Sequence, residues 1–153
     1  MNSTTTPSAS RSIRRVDTLL AHYGQSHQNP KNELIHFIAI PLIMLSLVGM
    51  LLAAHPYAAY AFVAASLVYY ARLSVVFLLV MLLWAGLTFA LLFAMGDLVL
   101  PLSVVLFVGA WILQFMGHHI EGKKPSFLED IQYLWIGPLF VLSKLFGRLG
   151  LRW

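Results

Sequence analysis

The stretch NPKNELIHFIAIPLIMLSLVGMLLAA, residues 29–54, is the most informative part of this 153-residue chain about its fold. From Leu34 onward it is predominantly apolar for about 20 residues, the length that a helix needs to cross the hydrocarbon core of a bilayer. Pro41 lies inside the run, and membrane helices tolerate proline there. Asn29 and Pro30 suit the N-cap and the first position of a helix. The stretch therefore predicts a membrane helix with a polar entrance.

The composition of the whole chain agrees with a membrane protein. Hydrophobic residues make up 59% of the chain and charged residues 10%, against roughly 45–50% and about 25% in ordinary soluble domains. A soluble domain of this size could not bury so much apolar surface. The net charge of +4 favours anionic lipid headgroups over nucleic acid as a partner. The absence of cysteine excludes disulfides, thiolate metal sites and cysteine nucleophiles.

Three further apolar runs follow the first one. We expect an all-α polytopic membrane protein with four transmembrane helices, a C-terminal amphipathic or re-entrant helix over about 127–147, and one domain spanning 13–153 after a disordered tail at 1–12. The predicted spans cover about 34–54, 57–71, 73–95 and 98–116.

The basic residues predict the orientation of these spans. If all four runs cross, each of the ten Lys and Arg residues lies on one side, which the positive-inside rule makes cytoplasmic. Both termini then face the cytoplasm. We expect the membrane to be the inner membrane in a bacterium or the ER membrane in a eukaryote. An even number of crossings also places the two histidine-containing stretches of the chain on the same face.

The first of these stretches surrounds the Asn-Pro break. His27 precedes the break, and Asn32, Glu33 and His36 fall on one helix face by the i, i+3, i+4 rule. A fold-back at the break would bring His27 to His36.

The second stretch is WILQFMGHHIEGKKPS, residues 111–126. Gln114, His118 and Glu121 form a polar stripe at the cytoplasmic end of the last span, and Gly117 leaves room for a close helix approach.

Imidazole and carboxylate groups, here present at two helix ends, are the types of ligand that a divalent transition metal needs. Without sulfur, the donors indicate Fe(II), Zn or Mn. The candidate ligands are His27, His36 and His118 with Glu121, while His22 or His119 could complete the set. Neighbouring side chains would fix the imidazole tautomers. Those candidate supporting residues are Tyr23, Asn29, Asn32, Gln114 and His119. His55, on the opposite side, is interpreted as an interfacial anchor.

Two motifs carry a family resemblance. Y-x3-H-x-N-P-x-N-x2-I-H runs from Tyr23 to His36, and Q-F-x-G-H-x2-E-G-x-K-P runs from Gln114 to Pro125. Together they resemble a family of small membrane proteins related to the 2-hydroxy fatty acid dioxygenase of fatty-acid α-oxidation. The resemblance implies an Fe(II)-dependent enzyme that uses O2 to shorten a 2-hydroxy fatty acid by one carbon, with His27, His36 and His118 essential.

Within this hypothesis the carboxylate and 2-hydroxyl of the substrate chelate the metal, and the acyl tail lies between helices. Two alternatives remain open on the sequence. A bis-histidine haem protein would also use helix-end histidines. A non-enzymatic lipid-binding or transport protein could use the histidines and Glu33 for protons. The oligomeric state is left undetermined.

Overall fold

The computed structural model describes residues 14–25, 27–122 and 133–151, and its regular elements are helices. These are α1 (Arg15–Gly24), α2 (Pro30–Ala54), α3 (Pro56–Ala71), α4 (Val75–Met95), α5 (Val99–Glu121) and α6 (Ile136–Arg148), with a short 3-10 turn at Gly96–Leu98 between α4 and α5. The fold is therefore all-α, as the sequence predicts. The predicted disordered tail at 1–12 lies outside the described residues.

Local chemistry explains where these helices begin and turn. The side chain of Asn29 accepts a hydrogen bond from the Lys31 backbone N–H at 3.0 Å, and Pro30 takes the first position of α2. His55 is extended at the junction of α2 and α3, and its Nδ1 accepts from the backbone N–H of Tyr57 at 3.3 Å. Gly96 adopts a φ of +54°, which glycine accepts readily.

Contacts along α2 give the direction of its neighbours. A Cβ on Gly49 would clash with Ser103 of α5, and a Cβ on Gly117 would clash with Asn32 of α2. The start of α5 therefore meets the end of α2 and the end of α5 meets its start, so the two helices are antiparallel. They form the most extensive helix contact among the described residues.

Helices α3 and α4 complete the bundle, with α4 running parallel to α2. Leu92, near the end of α4, packs with Val48 near the end of α2 and with Ala59 near the start of α3. The 3-10 turn then reverses the chain into α5. The starts of α2 and α4 and the ends of α3 and α5 consequently share one end of the bundle, which we call the histidine end.

The short helices α1 and α6 pack together across the histidine end. Val16, Leu20 and Tyr23 of α1 share a buried cluster with Leu139 and Phe140 of α6. The same cluster includes residues from the adjacent ends of α3 and α4, namely Tyr70, Phe77 and Met81. These two helices thus cover the buried polar end of the α2–α5 pair.

The C-terminal helix differs from its predicted extent of 127–147. It begins at Ile136, after a turn at 133–135, and the predicted part before 133 lies outside the described residues. Gly137 and Pro138 lie in its first turn. Proline is tolerated there because the first N–H groups of a helix have no intrahelical partner.

In the part of the chain that the structure describes, two helical segments, Pro30–Ala54 and Val75–Glu121, are long and apolar enough to cross a membrane. The second contains α4, the 3-10 turn and α5. Large apolar side chains on these helices face outward, with Leu83 66% exposed and Val105 68% exposed. Soluble monomers rarely expose large contiguous apolar patches. This surface therefore favours contact with lipid.

Candidate metal centre

His27 and His36 are held in the same way, each by a backbone carbonyl four residues earlier. Nδ1 of His27 donates to the carbonyl oxygen of Tyr23 at 2.8 Å, and Nδ1 of His36 donates to that of Asn32 at 2.9 Å. A carbonyl oxygen can only accept, so both Nδ1 atoms carry the ring hydrogen. The Tyr23 ring also stacks on His27, with centroids 4.2 Å apart.

The remaining nitrogens of these two rings point at each other. With Nδ1 protonated, a neutral imidazole presents a lone pair at Nε2, and the two Nε2 atoms are 2.9 Å apart. Two lone pairs at this distance repel unless a cation, either a proton or a metal ion, lies between them. Metal–nitrogen bonds of about 2.0–2.1 Å place neighbouring ligand atoms of one ion about 3 Å apart. The observed separation therefore fits two ligands of one metal ion.

His118 completes the group from the end of α5. One nitrogen from each of His27, His36 and His118 lies within 4.8 Å of the others, and all three side chains are buried. Gly117 makes this approach possible, because a Cβ there would clash with Asn32 Oδ1 and lie 3.3 Å from Cε1 of His36. The three rings therefore form one buried set of nitrogen donors, whose chemistry suits Fe, Zn, Cu or Ni.

Glu121, one turn beyond His118, accepts three hydrogen bonds from residues around the start of α2. Its Oε1 accepts from the backbone N–H of Gln28 at 2.9 Å. Its Oε2 accepts from the backbone N–H of Asn29 and from the Asn32 amide, both at 2.9 Å. A carboxylate at this place also interacts favourably with the N-terminus of the helix. Glu121 thus links α5 to both sides of the Asn-Pro break.

The other candidate residues occupy distinct positions. Among the residues that the structure describes, the group able to hold a metal comprises the three histidines, without Glu121, His22 or His119. His22 is exposed and its Nδ1 is 2.7 Å from the Tyr133 hydroxyl. His119 is exposed on α5. Gln114 is buried one turn before His118, and among the described residues its Oε1 has no hydrogen-bond partner.

Several contacts of the site escape sequence reasoning. The ring of Phe140 on α6 lies 5.5 Å from that of His27, so α6 forms part of the enclosure. Glu33 pairs with Lys144 at 3.0 Å and Arg148 at 3.2 Å, which ties α2 to α6. The apolar spacing of Val16, Leu20 and Tyr23, at i, i+4 and i+7, could have revealed α1. The ion pairs have no comparable local signal, since their partners are distant in sequence.

Comparison with known proteins shows which family the chain belongs to. Residues 13–149 match a family model described as 2-hydroxy-palmitic acid dioxygenase Mpo1-like. The chain is 33% identical over 141 residues to the 2-hydroxy-palmitic acid dioxygenase MPO1 of Saccharomyces cerevisiae, covering 86% of this chain and 79% of the yeast protein. The search of solved structures found no match. The chain therefore belongs to the 2-hydroxy-palmitic acid dioxygenase Mpo1-like family.

Proposed function

We propose that this protein is an iron(II)-dependent dioxygenase that shortens 2-hydroxy fatty acids by one carbon. The observation that carries the proposal is the 2.9 Å approach of the two Nε2 atoms of His27 and His36 beside His118. Membership of a family named for a 2-hydroxy-palmitic acid dioxygenase supports the reaction class. With C1 released as CO2, C2 becoming the carboxyl of the shortened acid and one water formed, a single O2 balances the reaction without an external reductant.

Three imidazoles suit the metal that this chemistry needs. His27, His36 and His118 would hold it, and a redox-active metal is required because zinc does not change oxidation state. Bound iron would supply the one-electron steps through which O2 reacts with an organic acid. Glu121 would act as a positioning residue instead of a ligand, since its two oxygens already accept three N–H groups.

Gln114 supports a substrate that carries a hydroxyl group. Its side chain is only 3% exposed, and its Oε1 has no hydrogen-bond partner among the described residues. Buried acceptors of this kind are uncommon, and each one calls for an explanation. The 2-hydroxyl of the substrate would donate to Oε1 and so orient C2 near the histidines. An acid without that hydroxyl would leave the acceptor unsatisfied, which costs binding free energy.

The bundle also supports four membrane crossings by α2 to α5. The antiparallel order places the described basic residues at the histidine end, while Asp97 lies in the turn at the opposite end. By the positive-inside rule the histidine end faces the cytoplasm. A fatty acid would then meet the site at the lipid boundary, where its polar head and apolar tail separate.

The haem alternative is not supported by the geometry. A haem between two axial imidazoles needs room for the macrocycle, and Nε2 atoms at 2.9 Å leave none between His27 and His36. A lipid-binding or transport protein without chemistry would not need three imidazoles to converge in a buried site.

The test is metal analysis of the anaerobically purified protein, followed by a product assay with 2-hydroxyhexadecanoic acid and O2. We expect one iron for each chain and formation of pentadecanoic acid. The activity should disappear on chelation and return with Fe(II) but not with Zn(II). Full turnover by a rigorously metal-free preparation would overturn the proposal.

A further inference from the structure

Three apolar cavities follow one another into the bundle, and the first of them lies beside the histidine group. The first, about 20 Å³, is bordered by Gln114 and by Tyr23, whose ring stacks on His27. The second, about 140 Å³, lies between α2, α4 and α6. The third, about 30 Å³, lies between α2, α3 and α4. Together they mark a path of weak packing that begins at the candidate metal centre.

The cavities share their walls, and Met44 borders all three of them. Ile40 and Met44 separate the first from the second, while Met44, Met81 and Trp84 separate the second from the third. Methionine is unbranched and flexible, and it fills irregular gaps at little cost. Rotamer changes of Met44 and Met81 would therefore join the three spaces into one.

The direction of the path follows α2. With a rise of about 1.5 Å for each residue, Met44 lies about 12 Å and Val48 about 18 Å beyond His36 along the helix axis. A bilayer has a hydrocarbon core about 30 Å thick, so the path reaches beyond the middle of the proposed span. That depth is comparable with the length of a long extended acyl chain.

The walls identify the class of occupant. The second cavity is lined by apolar side chains on facing helices, including Pro41, Val80 and Pro138. An apolar cavity of this size stays dry and accepts apolar ligands. Gln114 stands at the end beside the histidines, where the polar head would lie. The path therefore fits a ligand with one polar end and a hydrocarbon tail.

We propose that the acyl chain of the 2-hydroxy acid occupies this path and that Met44, at the junction of the cavities, sets the chain length that the enzyme accepts. The inference rests on the proposed function for the identity of the head group. A bulkier residue at position 44 would close the path to a long chain and leave space for a short one.

The experiment compares 2-hydroxyhexadecanoic acid with 2-hydroxydecanoic acid on the iron-loaded, full-length protein. Met44→Phe should lower the ratio of kcat/KM for the long acid over the short acid by about tenfold or more, since small steric changes in an apolar pocket have effects of this order. Met44→Ala should leave or raise the same ratio. Dissociation constants measured without O2 should shift in the same direction.

Met116→Phe is the matched control, because Met116 is 52% exposed on α5 and borders none of the three cavities. It should leave the ratio unchanged. If both Met44 variants convert the two acids in the wild-type ratio, the path is overturned and the proposed function stands. If no protein converts either acid, but Met44→Phe selectively weakens anaerobic binding of the long one, the path stands and the proposed function fails.

Discussion

The two ends of the α2–α5 pair are packed in the same way but carry different side chains. At each end a glycine lets the helices touch, Gly117 against Asn32 and Gly49 against Ser103. At the histidine end this contact brings three imidazoles together under α1 and α6. At the other end His55 is exposed and caps α3.

The difference indicates that close helix packing alone does not assemble a buried group of potential metal ligands. A histidine becomes a metal ligand when neighbouring groups fix its tautomer and exclude water from it. The backbone carbonyl of Asn32 fixes the tautomer of His36. Helices α1 and α6 pack over this end of the bundle and shield it from water. His55, by contrast, is exposed in the structure of the described residues.

The largest expected effect separates the histidines of the two ends. His118→Ala should abolish product formation and weaken iron binding by more than about a hundredfold, because it would remove one of the three proposed ligands and not merely a supporting group. His55→Ala should retain both iron and turnover, since that side chain only caps an exposed helix start. Iron content and product yield for each chain provide the measurement. Equal behaviour of the two variants would remove the distinction between the ends.

The next effect separates two acidic residues within the histidine end. Glu121→Gln should weaken iron binding by about 10- to 100-fold, because one amide NH2 group would face an N–H donor and loosen the chain around His27. Glu33→Gln should change little, since its partners Lys144 and Arg148 are 42% and 69% exposed and such pairs contribute about 0–1 kcal/mol. Competition with a calibrated chelator measures both affinities. A larger loss in Glu33→Gln would assign the positioning role to α6.

The smallest effect separates two buried polar side chains of α5. Gln114→Leu should reduce the preference for a 2-hydroxy acid over the unsubstituted acid by about fivefold, since a hydrogen bond contributes roughly 1 kcal/mol. Ser103→Ala, at the other end of α5, should keep the preference. Its Oγ is also buried without a partner among the described residues, so its removal should not destabilise the fold through a lost hydrogen bond. Anaerobic binding of the two acids measures the preference, and an unchanged value in Gln114→Leu would exclude the assigned role.

Much of the fold could be predicted because its signals are local. The Asn29 cap, the break at His55-Pro56 and the reversal at Gly96 depend on residues within one turn of each other. The convergence of His27, His36 and His118 could be expected from the parity of the spans and the break at Asn29-Pro30. The start of α6 at Ile136 could not be placed, because Gly137-Pro138 suits either an interruption or a first turn.

Periodicity, helix caps and motifs lie in neighbouring residues, and they were enough to predict the helical class, the main helix boundaries, the family and the convergence of three histidines. Two features became visible only in the tertiary structure: Glu121 accepts hydrogen bonds from the backbone before α2, and α6 packs against His27. Those contacts join residues about 90 or more positions apart, and their hydrogen bonds and packing depend on how helices meet in space. The apolar path at Met44 has the same origin, since a cavity is a property of several helices together.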